Sequence, residues 1–251
     1  MGNKPRVVAT IDLPAEGRLV TLDAQESHHI IDVLRLKNGD EVEVFVSSLG
    51  ISFDGIIKTE KPLTKIIITK ELKSKLPTIR VHLIVALIKS SLCELIVEKC
   101  TELGLHSVCF FQAEFHREGA NYEEFKKRFL RLNKIRDSAI KQSRTSVVTE
   151  LRLTKDLGSA LTEHFSQTGL YLSLEQCPSI IELLTSTKAT LEKINKIDDL
   201  YLIIGPEAGL SESEIKLANN RGATGVSLGK NILRTETACI VSSGVAMSFA
   251  W

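Results

Sequence analysis

The rhythm of apolar and polar positions changes near residue 77. Ahead of it, short stretches alternate as strands with one buried face do. Beyond it, apolar residues gather into solid runs parted by segments of helical period. In the first part, positions 40–46 set Val42, Val44 and Val46 against Glu41 and Glu43 behind the Asn38-Gly39-Asp40 turn, and 52–57 and 64–69 are further strand candidates. Positions 27–36 read as a helix bearing Ile30, Ile31, Val33 and Leu34, with Asn38-Gly39 as its stop. The pattern predicts a small β-barrel-like domain over 1–75, ended by a basic, proline-bearing linker at 70–77.

The apolar run 81–88 has the composition of a parallel strand covered on both faces. A helix over 91–103 follows, with Leu92, Leu95, Ile96, Cys100 and Leu103 on one face. Ser91 and Glu94 are spaced as a capping box, and Gly104 is the stop. With a strand at 108–111 this makes a βαβ unit, so 76–251 is predicted to be an α/β domain with a parallel sheet. Further expected elements are a helix at 123–143 and strands at 170–174 and 200–204. Ser211-x-x-Glu214 opens a helix that runs to about Asn220. A last strand at 225–228 and a last helix at 235–249 complete the pattern.

Composition narrows the field. At 251 residues and 43% hydrophobic, the chain can bury the cores of two modest domains. A net charge of +1 gives no global sign of nucleic-acid binding, so any such signal must be local. No apolar run nears the roughly 20 residues of a membrane span. Met1-Gly2 lacks the downstream Ser or Thr of a myristoylation signal, since Arg6 stands there. The expectation is a cytoplasmic protein. Cys93, Cys100, Cys109, Cys177 and Cys239 are odd in number and show no C-x-x-C spacing, which argues against a zinc site or a disulfide frame.

Two loops carry the chemistry. Gly205-Pro206-Glu207-Ala208-Gly209 follows a buried strand and precedes a capped helix, where open α/β sheets bind ligands. It is neither a dinucleotide fingerprint nor a P-loop, and read alone it is equally a plain strand-to-helix turn. The second loop joins Gly229, Lys230, Arg234 and Glu236 with Ile232 and Leu233. Either the apolar pair lines an adenine pocket, or it plugs the core beneath the last helix. Basic residues crowd 117–144, nine against four acids, fitting an RNA groove or an ordinary solvated helix face. His28-His29 with Asp32 lacks a third metal ligand, His82 reads as a core histidine, and no Ser-His-Asp arrangement is legible.

The whole chain resembles the RsmE family of 16S rRNA (uracil-N3)-methyltransferases, members of the SPOUT class. The matching residues are Arg6; His29 with Val33-Leu34-Arg35-Leu36-Lys37-Asn38-Gly39-Asp40; and Lys89 with Glu98-Lys99-Cys100-Thr101-Glu102-Leu103-Gly104. Gln142-Ser143, Gly205-Pro206-Glu207-x-Gly209 and Ser227-Leu228-Gly229-x-x-Ile232-Leu233-Arg234-Thr235-Glu236-Thr237-Ala238 complete them. The resemblance implies a PUA-like RNA-binding β-barrel and a SPOUT α/β domain with a C-terminal trefoil knot that forms a homodimer. It implies methyl transfer from S-adenosyl-L-methionine to N3 of a uridine in 16S rRNA of the small subunit. A tRNA methyltransferase of the same class, or a non-catalytic knotted RNA-binding protein, is the alternative.

By the same resemblance, the cofactor lies against Leu174, Ile204, Gly205, Pro206, Glu207, Gly209, Leu228, Gly229, Ile232, Leu233, Thr237 and Ala238. Arg6, Arg35, Lys89, Gln142 and Arg144 fall to the RNA. Arg234 is the candidate for stabilising charge on the uracil oxygens. Glu236 either orients Arg234, accepts the proton or serves the helix start. No metal is required. The chain departs from the family where Ala208 replaces a usual Gly, where Ala113-Glu114-Phe115-His116 replaces Ser-x-Arg-Ser, at Arg144 directly after Gln142-Ser143, and at Lys230-Asn231 in place of Pro-Arg.

Overall fold

A computed structural model describes residues 4–9, 19–59, 63–73, 75–116, 121–164, 168–173, 175–191 and 198–251. The chain divides into two units, Met1–Leu76 with Ile140–Val148, and Pro77–Ala139 with Thr149–Trp251.

The first unit holds β1 (Arg6–Ala9), β2 (Leu19–Thr21), α1 (Ala24–His28), β3 (Glu41–Val46), β4 (Ile51–Thr59) and β5 (Thr64–Leu72). The strand order is β1-β3-β4-β5-β2, with β1 parallel to β3 and the other pairs antiparallel. Among the described residues β1 and β2 do not pair with each other, so the expected barrel is an open, curled sheet. Alternation sends Val42, Val44 and Val46 into one core with Val7, Val20, Ile57 and Ile66. Phe45 faces the other way, against Val8, Ile140 and Val148. β5 runs to Leu72, so the linker is shorter than expected.

The first helix starts earlier than its pattern suggested, because Asp23 caps it by accepting from the Glu26 N–H at 2.8 Å. It passes into a π-helical turn, His29–Val33, closed by the Leu34 N–H on the His29 carbonyl at 2.9 Å. The wider turn rotates the following side chains. Ile30 is fully buried, while Ile31, Val33 and Leu34 face solvent.

The second unit runs β6 (Ile79–Ala86), α2 (Ser90–Leu103), β7 (Ser107–Phe111), α3 (Tyr122–Ser143, whose last turn belongs to the first unit), β8 (Glu150–Thr154), α4 (Leu157–His164), β9 (Thr168–Leu172), α5 (Ile180–Leu191), β10 (Asp198–Ile204), α6 (Glu212–Asn220), β11 (Ala223–Val226) and α7 (Thr235–Ala250). Its six strands are parallel, in the order β11-β9-β10-β6-β7-β8. Both faces are covered. Val81, Leu83, Val85, Leu200, Leu202 and Ile204 join the core of α2 and α7, whereas Ile84, Ala86, Tyr201 and Ile203 meet α4 and α6.

The Ser211–Glu214 capping box forms with both of its bonds, at 2.8 and 3.1 Å. The box expected at Ser91 does not form. Lys89 holds that N-cap position without a side-chain bond, and Glu94 instead binds Arg131 at 2.6 Å. The last strand ends at Val226, short of the expected Leu228, and Ser227 bridges Ser179. Nothing in the pattern announced β8, α4 or α5. No helix among the described residues is long and apolar enough to cross a membrane.

Candidate functional site

Segments at the carboxyl ends of β9, β10 and β11 enclose a cleft of about 790 Å³, within the ordinary range for a small-molecule site. Its shape depends on backbone. At Gly205 a Cβ would lie 2.7 Å from the Leu210 nitrogen and 2.8 Å from the Gly209 carbonyl carbon, so no side chain fits there. Gly209, at φ +83°, closes the turn by donating its N–H to the Pro206 carbonyl at 2.9 Å. Ala208 between them is exposed and has no positive φ, so this departure from glycine costs no strain.

The neighbouring loops are tied to this turn. The buried Thr235 hydroxyl donates to the Gly205 carbonyl at 3.4 Å, joining the start of α7 to the end of β10. Ser227 Oγ accepts from the Gly229 N–H at 3.1 Å and shapes the second loop. The third wall is the stretch after β9. There Ser173 N–H donates to Val226 O, Ser227 N–H to Pro178 O and Ile180 N–H to Ser227 O, at 3.0, 2.9 and 3.0 Å.

Ile204, Gly205, Pro206, Glu207, Gly209, Leu228, Gly229, Ile232, Leu233 and Ala238 all line the cleft, as do Lys230 and Asn231. Ile232 is 80% exposed, which excludes the core-plug alternative for that residue; Leu233 does both, packing on the core while facing the cleft. Leu174 lies outside the described residues. Thr237 is a correction: it is exposed and off the wall, because Thr235 and Ala238, three apart, occupy the inward face of α7. Glu236 is another. Its side chain is buried in the first turn of α7 and forms no part of the cleft lining. Arg234 is exposed, in extended backbone between the lining residues Leu233 and Thr235, and no hydrogen bond or ion pair among the described residues engages its side chain.

The residues expected on RNA divide sharply. Lys89 is exposed just beyond β6, at the same carboxyl edge as the cleft. In the first unit, Arg35 (φ +56°) and Gln142 are exposed, without side-chain partners among the described residues. Arg6 is instead interior. Its guanidinium donates to the Thr145 carbonyl at 2.9 Å, lies 3.1 Å from Glu43, and stacks over Phe45 at 4.5 Å. Burial lowers its pKa from the ordinary value. Arg144 is likewise spent on Glu43, at 3.1 Å, and on the Lys4 carbonyl. Both cations hold Ile140–Val148 to the first unit rather than reaching outward.

Sequence reasoning overlooked Thr235 and Ser227 as organisers, and Glu175, Gln176, Cys177 and Ser179 as wall. The only signal for that wall was the end of a buried strand. His28 Nδ1 meets Asp32 on an exposed surface, and no group of three His, Cys, Asp or Glu among the described residues is arranged for a metal.

Comparison with known proteins gives a consistent picture. Residues 74–247 match the family described as an RNA methyltransferase domain, and residues 22–68 match an RNA methyltransferase PUA domain. A Ribosomal RNA small subunit methyltransferase E from Synechocystis sp. is 30% identical over 89% of this chain and 71% of that protein. The protein of the same name from Bacillus subtilis is 28% identical over 89% and 87%. In fold, the chain is similar to the crystal structure of a Ribosomal RNA small subunit methyltransferase E from Neisseria gonorrhoeae bound to S-adenosyl methionine, with a TM-score of 0.81 over 98% of both chains at 22% identity.

Proposed function

The chain belongs to the RNA methyltransferase family, and from that premise we propose that it methylates N3 of a uridine in 16S rRNA of the small ribosomal subunit, with S-adenosylmethionine as donor. The observation that carries this reading is the cleft at the carboxyl ends of β9, β10 and β11, with Gly205 held where a Cβ would strike backbone.

The cleft suits the donor. Backbone beside Leu228 can read the polar edge of an adenine, and Ile232 and Leu233 offer apolar surface to its ring. Glu175, Glu207 and Lys230 supply both signs of charge for an amino-acid moiety that carries both. When bound, S-adenosylmethionine supplies a methyl group activated by positively charged sulfur, which makes a metal unnecessary.

Arg234 stands beside the cleft, and no hydrogen bond or ion pair among the described residues engages its guanidinium. It stabilises the negative charge that builds on the uracil oxygens as the N3 proton leaves. Glu236, buried at the N-terminus of α7, serves the helix start and so the placement of Arg234. The first unit, with exposed Arg35 and Gln142, is assigned to rRNA together with Lys89 and the basic stretch of α3. The trefoil knot is part of the proposal too. A homodimer through the second unit and residence in the cytoplasm complete it.

The test is methyl transfer to isolated small subunits and, in parallel, to bulk tRNA, with the product nucleoside identified by mass spectrometry. The expected product is 3-methyluridine in small-subunit rRNA. Label in tRNA would replace the substrate, and label in neither, with no binding of S-adenosylmethionine, would overturn the catalytic reading.

A further inference from the structure

β7 delivers the chain at Phe111 to the carboxyl edge of the sheet, two strands away from β10. The next residues, Gln112-Ala113-Glu114-Phe115-His116, are fastened there. Ala113 is buried, and the His116 ring Nδ1 lies 3.0 Å from its carbonyl. The Glu114 N–H donates to Glu214 Oε1 at 3.1 Å, and the Ser213 hydroxyl donates to the Glu114 carboxylate. Glu214 is the buried glutamate of the α6 capping box, five positions beyond Gly209. The loop after β7 is therefore bonded to the helix start that continues the 205–209 turn of the cleft.

From this anchored loop Phe115 projects with 55% of its surface exposed. No ring or cation among the described residues stacks on it. One exposed apolar side chain is ordinary in itself. What sets Phe115 apart is a loop bonded to the helix start that continues the 205–209 turn, and its neighbour. Bonds from Ser213 and Ser211 hold the Glu114 carboxyl below its usual range, so that residue stays anionic and repels phosphate. A nucleotide approaching here presents an uncharged base face, which an aromatic ring accepts whatever the base. RNA bases are read when unstacked from their neighbours, and stacking on protein offsets that cost.

We propose that Phe115 is the platform on which an unstacked rRNA base rests during methyl transfer. The inference rests on the rRNA reading above. It also accounts for this stretch lacking the Ser-x-Arg-Ser of the resembled family: an aromatic face takes over from polar side chains.

The full-length chain carrying Phe115→Ala, Phe115→Leu or Phe115→Tyr tests it, with rates measured on isolated small subunits that lack the methyl group and donor affinity measured by calorimetry. Stacking predicts that kcat/KM falls roughly tenfold or more for Ala and Leu, and stays within about twofold for Tyr, with donor affinity unchanged in all three. Activity of the Ala variant near that of the unaltered chain would overturn the platform alone, as would a Leu variant as active as Tyr or a loss of donor affinity. Absence of transfer by the unaltered chain would instead overturn the functional reading, and this inference with it.

Discussion

At the amino-terminal half of the six-stranded sheet, Arg80, His82, Ser107 and Asp199 bond one another across β6, β7 and β10. His82 sits 2.8 Å from Ser107 and 3.0 Å from Asp199, and is stacked on Tyr201 at 4.7 Å. At the carboxyl end, loops meet instead of strands and wall a cleft, with the exposed Arg234 between two of its lining residues. The first region contains a serine, a histidine and an aspartate in bonded sequence, yet its serine is buried and its polar groups are spent on each other. The second has no such array and nonetheless has room for a ligand. Side chains in strand register can satisfy each other across the ladder; loop backbone at strand ends depends on a ligand or water to do so.

Arg234→Ala attacks the open end at its chemistry. On the role proposed for Arg234, losing its charge should slow methyl transfer by about 10²- to 10³-fold. Donor affinity, measured by calorimetry, should not change, since the guanidinium does not line the cleft. Turnover at the unaltered rate would remove Arg234 from the reaction.

The closed end answers to pH. Burial takes the His82 imidazole from its ordinary pKa of 6.5 to about 4. Between those values the unfolded chain binds a proton that the folded chain excludes. The contribution of neutral His82 is therefore complete above about pH 6.5, declines as acid is added and is gone near pH 4, about 3 kcal/mol at most. The facing groups are Asp199, Arg80, Ser107, Tyr201 and His106, whose own pKa burial also lowers. His82→Gln should flatten the fall of the denaturation midpoint across that window, leaving the part due to His106, without altering donor affinity. An unchanged slope would show that His82 is not the acid-sensitive group.

Much of this contrast was legible beforehand, and the illegible part has a physical cause. Solid apolar runs announced β6 and β10, and the glycines of 205–209 announced a turn at a strand end, which forms part of the cleft wall. Such features are local. The fate of a cation is not: Arg6 and Arg144 read like Arg35, but Glu43, distant in sequence, claims both. The return of Ile140–Val148 to the first unit, which those pairs hold, leaves no periodic trace. Thr237, expected on the cofactor, stands off the cleft wall for a simpler reason. A long motif match does not say which of its residues share a helix face, whereas the spacing of Thr235 and Ala238 does.

The smallest change sharpens the comparison furthest, because it separates shape from charge. Gly205→Ala adds one carbon, which meets the Leu210 nitrogen and the Gly209 carbonyl carbon. Both are backbone atoms, so neither can swing aside as a side-chain tip would. The 205–209 turn must shift, and with it the carbonyl that Thr235 holds at 3.4 Å. Overpacking of this kind costs about 1–3 kcal/mol, and donor affinity should fall by about tenfold, since a tenfold change corresponds to about 1.4 kcal/mol. The His82 network, at the other end of β10, should keep its pH response. Ala208→Gly, three positions along, is the control: that residue is exposed and has no positive φ, so removing its Cβ relieves nothing. Calorimetry should find this second variant indistinguishable from the unaltered chain. Equal losses from the two changes would mean that general loosening of the loop, and not the close approach at Gly205, governs the cleft.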